Sequence, residues 1–176
     1  MTRAPSLGTK ARKRRPAKAA ADPSATVRKV LRDYANRGVF RSFSESEQRG
    51  GIAEFKFIWL SDIPINLRWN RRTSTLTFFD FLPEIPARSA MYSDLKDFVR
   101  ARTSPKVPAH RRIDPRRAQV GYTNRGGNVS IRLKVKGTDY RYGANRAINL
   151  ISEIYMGFLH NRYYDYLVQN FGVPDE

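Results

Sequence analysis

The sequence has no cysteine, two histidines, and 16 acidic residues against 33 basic ones. The absence of cysteine excludes disulfides, thiolate nucleophiles and cysteine-ligated zinc or iron–sulfur clusters. No apolar run approaches the roughly 20 residues that a membrane helix needs, and no apolar segment follows the charged N-terminal stretch as in a secretory signal. We therefore expect a basic protein without a membrane span, located in the cytoplasm (nucleoid-associated, or nuclear if the source is eukaryotic).

The positive charge is distributed unevenly along the 176 residues. Residues 1–24 carry seven basic residues and one acidic residue, among alanine, proline and serine that offer almost nothing to bury. This composition predicts a disordered basic arm, and residues 25–176 have a length typical of one domain. Within that domain, residues 96–146 hold 14 basic and 3 acidic residues, a net charge of +11 that makes this segment the main basic region.

Hydrophobic periodicity predicts helices and short strands throughout residues 25–176. The predicted elements are, in chain order, a helix over 25–37 capped by Ser24, a polar loop over 41–51, strands over 53–60, 64–69 and 74–82, a helix from Ser89 to about Arg102, an irregular loop over 104–117, strands near 118–123 and 128–136 joined by a turn at 124–127, a short strand over 139–142, a helix over about 144–159, and a last aromatic helix ending near Asn170. Runs of strands without strand–helix–strand alternation are typical of α+β proteins. We therefore predict an α+β fold, with helices packed on an antiparallel sheet in the order helix, three strands, helix, three strands, helix.

Two short segments resemble an uncharacterised bacterial domain family. They are Asp33-Tyr34-Ala35-Asn36-Arg37-Gly38-Val39-Phe40 and Asn149-Leu150-Ile151-Ser152-Glu153-Ile154-Tyr155. This resemblance implies no particular activity. The predicted order of elements over residues 25–160 is also similar, at the level of topology, to that of type III secretion chaperones, which are usually acidic where this chain is basic.

The strand predicted over 128–136 has one apolar and one basic side. Arg132, Lys134 and Lys136 alternate with apolar residues, and because residues on the same side of a strand are about 6.6 Å apart, they form a cationic row about 13 Å long. We expect Arg141 on the same side of the next strand. The preceding loop adds further basic residues, Lys106, Arg111, Arg112, Arg116 and Arg117.

Rows of lysine and arginine suit phosphate backbones, because each contact releases condensed counterions and arginine can donate two hydrogen bonds to one phosphate. The sequence therefore predicts a non-enzymatic protein that contacts the DNA or RNA backbone electrostatically and largely independently of base sequence. The predicted phosphate-binding residues are Arg111, Arg112, Arg116, Arg117, Arg132, Lys134, Lys136 and Arg141, with Lys10, Arg12, Lys13, Arg14 and Arg15 of the arm.

Other interpretations of the same residues remain open. The basic surface is also compatible with a solvated sheet face that binds nothing, with an acidic protein partner, or with an anionic lipid surface. The principal alternative is a protein-binding or chaperone-like adaptor, or a homodimer, which would use a sheet face or the C-terminal aromatic helix. An exposed apolar patch on that last helix would distinguish this alternative. The arm from Lys10 to Lys18 also has the composition of a nuclear localisation signal.

The motifs for enzymatic chemistry are few, and we predict no catalytic residues, cofactor or metal. His110 and His160, with Asp114 or Asp165, do not have the spacing of known metal-ligand patterns. Glu54 and Lys56 resemble half of a metal-dependent nuclease site, in which carboxylates hold Mg²⁺ and a lysine orients the attacking water. The simpler interpretation places both residues on the exposed side of a strand whose other side is aromatic.

Overall fold

The computed structural model describes residues 22–172, which form a six-stranded sheet with helices packed on one face. The elements are α1 (Pro23–Asn36), β1 (Ser42–Gln48), β2 (Ile52–Ile58), β3 (Pro64–Asn70), β4 (Thr75–Leu82), α2 (Ala90–Ala101), β5 (Ala118–Arg125), β6 (Asn128–Val135), α3 (Tyr140–Glu153), a π-helical stretch (Ile154–Leu159), the short α4 (His160–Arg162) and α5 (Tyr164–Phe171). The predicted disordered arm, residues 1–24, lies outside the described residues except for its last three positions.

The six strands form one antiparallel sheet in the order β1-β2-β3-β4-β6-β5. Consecutive strands pair as hairpins, except that β4 pairs with β6, so that the two parts of the sheet join along that pair. The predicted α+β class with an antiparallel sheet is therefore confirmed. The predicted division into three and three strands is wrong, because four strands precede α2 and two follow it.

The hydrophobic core lies between the helices and one face of the sheet. Alternate strand residues point into it and are fully buried, as period-two patterning requires. They include Ala53, Phe55, Phe57, Leu67, Trp69, Leu76, Phe78, Val129, Ile131 and Leu133 from the strands, and Val27, Leu31, Leu95, Val99, Ala147, Ile148, Ile151 and Phe158 from the helices. The opposite face of the sheet has no helix over it among residues 22–172, and it carries the polar half of each alternating pattern.

Helix α1 begins two residues before the predicted start. Its N-cap is Asp22, whose side chain accepts a hydrogen bond from the Ser24 backbone N–H at 3.2 Å. The Ser24 hydroxyl is instead buried and accepts a hydrogen bond from the indole N–H of Trp69 at 3.1 Å. Ser24 is therefore not the cap, and the boundary predicted after residue 24 falls inside the helix.

The segment predicted as a loop over 41–51 contains strand β1. The polar sequence of β1 gave no sign of a strand. It is an edge strand, and it is held in the sheet by backbone hydrogen bonds to β2 along its whole length. Two of its inward-facing residues are acidic rather than apolar, and they form ion pairs with arginines of α1, Glu45 with Arg32 and Glu47 with Arg28. Charged residues at an edge also disfavour pairing with a further strand.

The short strand predicted over 139–142 is the first turn of α3. Three alternating residues fit either a strand or a helix, and tertiary packing decides for the helix. Tyr140 packs edge-on against Trp69, and Gly143 allows the helix to approach β6 so closely that a Cβ at 143 would lie 2.3 Å from the Val135 side chain. This correction removes Arg141 from the sheet.

The remaining boundaries agree closely with the predictions. Ser89 caps α2 by accepting a hydrogen bond from the Tyr92 N–H at 3.1 Å. The hairpin between β5 and β6 turns at Gly126 and Gly127, whose φ angles of 59° and 91° lie in the left-handed region that glycine tolerates. The helix predicted over about 144–159 continues α3 into the π-helical stretch, and α5 ends at Gly172.

Candidate functional site

The uncovered face of the sheet, which we call the open face, is the main candidate site. Its side chains are mostly small and polar, with a few large charged groups. Residues that line grooves on this face include Ser44, Glu45, Glu54, Lys56, Asn66, Arg68, Asn70, Thr75, Thr77, Phe79, Asp80, Gln119, Gly121, Arg132 and Lys134 of the strands, with Asn170 and Phe171 of α5. Four of the lining residues are cationic and three are acidic. Because Glu54 is paired with Arg68 and Glu45 with Arg32, Asp80 is the acid left to offset Lys56, Arg132 and Lys134, and the face keeps an excess of positive charge.

Arg132 and Lys134 stand on one side of this face, in a groove of about 510 Å³ between β3 and β5. Both are exposed. Neither side chain forms a hydrogen bond or an ion pair with any other residue between 22 and 172. The two residues are flanked by neutral residues on the adjacent strands, Thr77 and Gly121 beside Arg132, and Thr75 and Gln119 beside Lys134. Their charges are therefore not neutralised by neighbouring acids and are accessible to a ligand.

Gly121 gives the Arg132 side chain its position. A Cβ placed at residue 121 would lie 2.6 Å from Nε and 3.2 Å from Cγ of Arg132, well inside van der Waals contact. The arginine therefore extends across β5 over the position where any other residue would have a side chain. This arrangement brings the guanidinium over the edge strand of the sheet.

A ridge formed by Arg68 and Phe79 separates the groove of Arg132 and Lys134 from a second groove over β1–β4. The Arg68 guanidinium carbon lies 4.4 Å from the centre of the Phe79 ring. Its Nε and Nη2 also donate hydrogen bonds to the Glu54 carboxylate at 2.9 and 2.7 Å. Glu54 therefore holds the Arg68 guanidinium over the ring, and Arg68 in turn neutralises the Glu54 carboxylate.

Sequence reasoning missed Arg68 and Phe79 as site residues. The strand predicted over 74–82 places Phe78 and Phe79 together in one apolar run. Because neighbours on a strand face opposite sides, a buried Phe78 requires an outward-facing Phe79, and this signal was present in the sequence. A bulge at Asp80, where φ is +46°, then returns Phe81 and Leu82 to the core.

The third member of the predicted row, Lys136, follows the end of β6. Its amino group donates a hydrogen bond to the Pro115 carbonyl at 2.7 Å, and its backbone N–H donates to the Arg117 carbonyl. These two hydrogen bonds link the loop before β5 to the end of β6. The row of freely available cations is consequently limited to Arg132 and Lys134.

Three of the predicted loop arginines form ion pairs with acidic residues on the helical side of the molecule. Arg116 pairs with Asp114, Arg117 with Asp139 and Arg111 with Glu153. These acids offset the positive charge that the composition of the loop suggested. Arg112 is half-buried, and within residues 22–172 its side chain forms no hydrogen bond or ion pair, although its charge helps to lower the pKa of Asp114.

The same pairings shift the pKa values of the acids involved. Hydrogen bonds from Arg117 lower the pKa of the Asp139 carboxyl, and those from the side chain and backbone of Arg116 lower the pKa of Asp114. The Arg117 guanidinium also lies 3.8 Å from the centre of the Tyr142 ring. The loop is therefore held against the start of α3 by ionic and stacking contacts together.

Arg141 does not join the sheet cations, contrary to the prediction. It is exposed on the first turn of α3 and lines a cleft with Tyr34, Asn145 and Arg146 on the helical side. The prediction was wrong because it depended on a strand that does not form. The five predicted arm residues, Lys10, Arg12, Lys13, Arg14 and Arg15, lie outside the described residues.

The residues considered for enzymatic chemistry have other contacts. The Glu54 carboxylate is engaged by Arg68, and Lys56 stands exposed beside it on β2. The His160 ring packs edge-on against Tyr164, and the His110 carbonyl accepts a hydrogen bond from Arg146. Between residues 22 and 172, no three histidine, aspartate or glutamate side chains are grouped closely enough to share a metal ion.

The exposed apolar patch that an adaptor would use is not found on α5. In the described part of the chain, the exposed large hydrophobic side chains are those of Ile63, Phe79 and Met156, none of which belongs to that helix. The inward side of α5 is anchored in the core by Leu167 and Phe171. No helix formed by residues 22–172 is both long enough and apolar enough to cross a membrane.

Comparison of the chain with models of known families, with curated proteins and with solved structures gives no match. The two resemblances noted in the sequence therefore stay predictions. The likeness to secretion chaperones was based on an order of elements that the structure revises to helix, four strands, helix, two strands, helix. The open face is consequently the feature of this chain that points to a function.

Proposed function

We propose that this chain binds nucleic acid without acting on it chemically, and that the open face of the sheet contacts the phosphate backbone. The observation that supports this proposal is the pair of exposed, unpaired cations Arg132 and Lys134 on a sheet face that no helix within residues 22–172 covers. They would be the principal phosphate contacts. Lys56, exposed on β2 of the same face, would be an additional one.

The charges of the open face favour a polyanion over a neutral ligand. Glu54 is already paired with Arg68, and Asp80 offsets one of the three positive charges of Lys56, Arg132 and Lys134, which leaves the face with an excess of positive charge. A chain with a net charge of +17 attracts polyanions over a distance set by the Debye length, about 8 Å at physiological ionic strength. Binding would release counterions from the nucleic acid and weaken with added salt.

The neutral residues around these cations suit contact with phosphate. Thr75, Thr77, Asn70 and Gln119 line the same groove and carry hydroxyl or amide groups that can donate hydrogen bonds to phosphate oxygens. Contacts of this kind position a backbone and carry no sequence information by themselves. The proposed binding is therefore largely independent of base sequence.

The loop arginines have a smaller role in this proposal than the sequence alone suggested. Phosphate contact by Arg111, Arg116 or Arg117 would have to compete with Glu153, Asp114 or Asp139. Arg112 forms no ion pair within residues 22–172, although it lies near enough to Asp114 to lower the pKa of that carboxyl. We propose that the arm raises the rate of encounter and the affinity, because its positive charges attract a polyanion. Such a protein would act in the cytoplasm or nucleoid, or in the nucleus of a eukaryote.

The test measures fluorescence anisotropy of labelled duplex DNA and single-stranded RNA with the full chain over a series of salt concentrations. The double variant R132Q/K134Q removes the two sheet cations. The matched control, K29Q/R100Q, removes one lysine and one arginine from exposed positions on α1 and α2, the helices on the covered side of the sheet. Both variants have the same net charge. The control residues are exposed partners of Asp33 and Asp97, in surface pairs that contribute little to stability.

We expect R132Q/K134Q to weaken binding and to reduce the slope of log affinity against log salt by about 0.7 to 0.9 for each phosphate that the variant no longer neutralises. The control should change both quantities much less. Equal effects of the two double variants would reject the open face as the site. Absence of binding by the wild-type chain near physiological salt would reject the proposed function altogether.

The arm is tested separately in the full chain by replacing Lys10, Arg12, Lys13, Arg14 and Arg15 with glutamine. If the open face is the site, this variant still binds, with lower affinity, and remains sensitive to R132Q/K134Q. If binding disappears with the arm substitutions alone, the arm is the principal nucleic-acid contact and the folded domain has another role.

A further inference from the structure

We propose that the ligand of the open face is a single strand, and that one of its bases stacks on the ridge formed by Arg68 and Phe79. This inference depends on the proposed function, since it specifies the kind of nucleic acid that the same face accepts. It adds a base contact to the phosphate contacts already argued. The two residues of the ridge were not among those predicted from the sequence.

Phe79 is an exposed aromatic side chain in the middle of a polar surface. It is 37% exposed, and among the large hydrophobic side chains exposed within residues 22–172 it is the only aromatic one. It lies on β4, flanked by β3 on one side and β6 on the other, and it lines both grooves of the open face. An aromatic ring at such a position loses the hydrophobic stabilisation that burial would give, which favours a role in binding.

Arg68 turns this ring into a planar platform. Its guanidinium carbon lies over the ring, 4.4 Å from the ring centre, and hydrogen bonds to Glu54 fix it there. Nucleobases stack on aromatic rings and on planar arginine groups alike, and every base offers a π-face irrespective of its identity. The platform is therefore formed before the ligand arrives, and it fits a base of any sequence.

The platform is within reach of the sheet cations. Thr77, beside Arg132, lies two residues from Phe79 on the same face of β4, about 7 Å along the strand, and β6 is about 5 Å across. One short stretch of nucleic acid can thus place a base on Phe79 and a neighbouring phosphate on Arg132. In a duplex both faces of an internal base are already stacked on its neighbours, so only an unpaired strand can use both contacts.

The test compares three probes with the full chain by fluorescence anisotropy: oligo(dT) of about 12 nucleotides, within the site sizes of single-strand binding folds, an abasic strand of the same length, and a duplex. The abasic strand has the same phosphates but no bases. Oligo(U) of equal length shows whether DNA or RNA is preferred. The variants are F79A, F79W and R68K, and the control is M156A, which removes an exposed hydrophobic side chain from the π-helical stretch.

We expect the wild-type chain to bind oligo(dT) about 5-fold or more tightly than the abasic strand, the effect of stacking at least one base. F79A should abolish this preference and leave affinity for the abasic strand unchanged, whereas F79W and M156A should retain it. R68K keeps the charge and removes the planar group, so it should reduce the preference for bases and leave the salt slope as it was.

The failures of the two proposals are distinguishable. If no probe binds, the proposed function is rejected. If the wild-type chain binds the abasic strand and oligo(dT) equally, or if F79A weakens both equally, phosphate binding stands and base stacking is rejected. A melting temperature of F79A within a few degrees of the wild type excludes unfolding, and F79L, which keeps apolar volume without a π-face, should behave as F79A does.

Discussion

Arg132 lies across the backbone of Gly121 on the neighbouring strand, at a distance that leaves no room for a β-carbon. The glycine is in an edge strand, where a side chain would otherwise be favoured. Its function in the fold is therefore to let the arginine side chain extend over β5. The position of one proposed phosphate contact thus depends on the absence of a side chain at residue 121.

Substitution G121A tests this dependence. The added methyl group would displace the arginine side chain, and we expect nucleic-acid affinity to fall in the same direction as for R132Q but by less. Stability should be unchanged or raised by up to about 1 kcal/mol, since alanine loses less backbone entropy than glycine on folding. Anisotropy and thermal unfolding measure the two effects. Unchanged affinity would show that the position of Arg132 over β5 has no part in binding.

The hydrogen bond between Ser24 and Trp69 should contribute to stability. Both side chains are buried, and S24A would leave the indole N–H of Trp69 without an acceptor. We expect a loss of about 1–3 kcal/mol in the free energy of unfolding, measured by urea denaturation followed through tryptophan emission. The control is T26A, which removes an exposed hydroxyl of the same helix turn. Equal effects of S24A and T26A would contradict the prediction.

Glu153 is a second stabilising group, placed between two arginines at the end of α3. It accepts hydrogen bonds from Arg102 at 2.6 Å and Arg111 at 3.0 Å, and its side chain is 10% exposed. E153A would leave two arginines without their counter-charge, and we expect a loss of about 3 kcal/mol, measured by urea denaturation. The exposed pair of Asp97 and Arg100 provides the comparison, with D97A expected to change stability by less than about 0.5 kcal/mol.

The pair of Arg117 and Asp139 predicts a specific dependence on pH. Its hydrogen bonds lower the pKa of the Asp139 carboxyl below the ordinary value. A carboxyl of this kind stabilises the fold above its unfolded-state pKa of about 4, and the contribution disappears as the pH falls through the lower folded-state pKa. We therefore expect D139N to be less stable than the wild type at pH 7, with the difference vanishing in acid.

Thermal unfolding between about pH 7 and pH 2 measures this effect, with the ordinary aspartate pKa near the middle of the range. R117Q removes the other member of the pair and should reproduce the pH dependence of D139N. Stability curves of wild type and D139N that stay parallel at every pH would show that the ion pair does not contribute to folding.

Much of the fold could be predicted from local patterns. The strands β2, β3, β4 and β6 alternate apolar and polar residues, and this alternation identifies both the strands and the residues of the core. Helix α2 was located by its cap, Ser89, and by its apolar stripe. In each of these elements the local preference and the tertiary environment agree, which is the condition under which sequence periodicity is informative.

The errors occurred where a local pattern was weak or where a distant residue decided the outcome. Strand β1 is polar because it lies at the edge and faces α1, so its pairing with β2 and not its composition makes it a strand. The start of α3 was mistaken for a strand because three alternating residues do not distinguish the two. At this position the close packing of Gly143 on Val135 favours the helix over the strand.

The candidate site shows the same division. The strongly basic character of the chain and the shared strand side of Arg132 and Lys134 follow from sequence alone, because charge and alternation are local properties. Only the tertiary structure separated them from the loop arginines, whose acidic partners include Asp139, 22 residues from Arg117, and Glu153, 42 residues from Arg111. It also placed Arg68 of β3 over Phe79 of β4. Contacts between strands depend on the pairing register of the sheet, and that register cannot be read from the sequence of one strand.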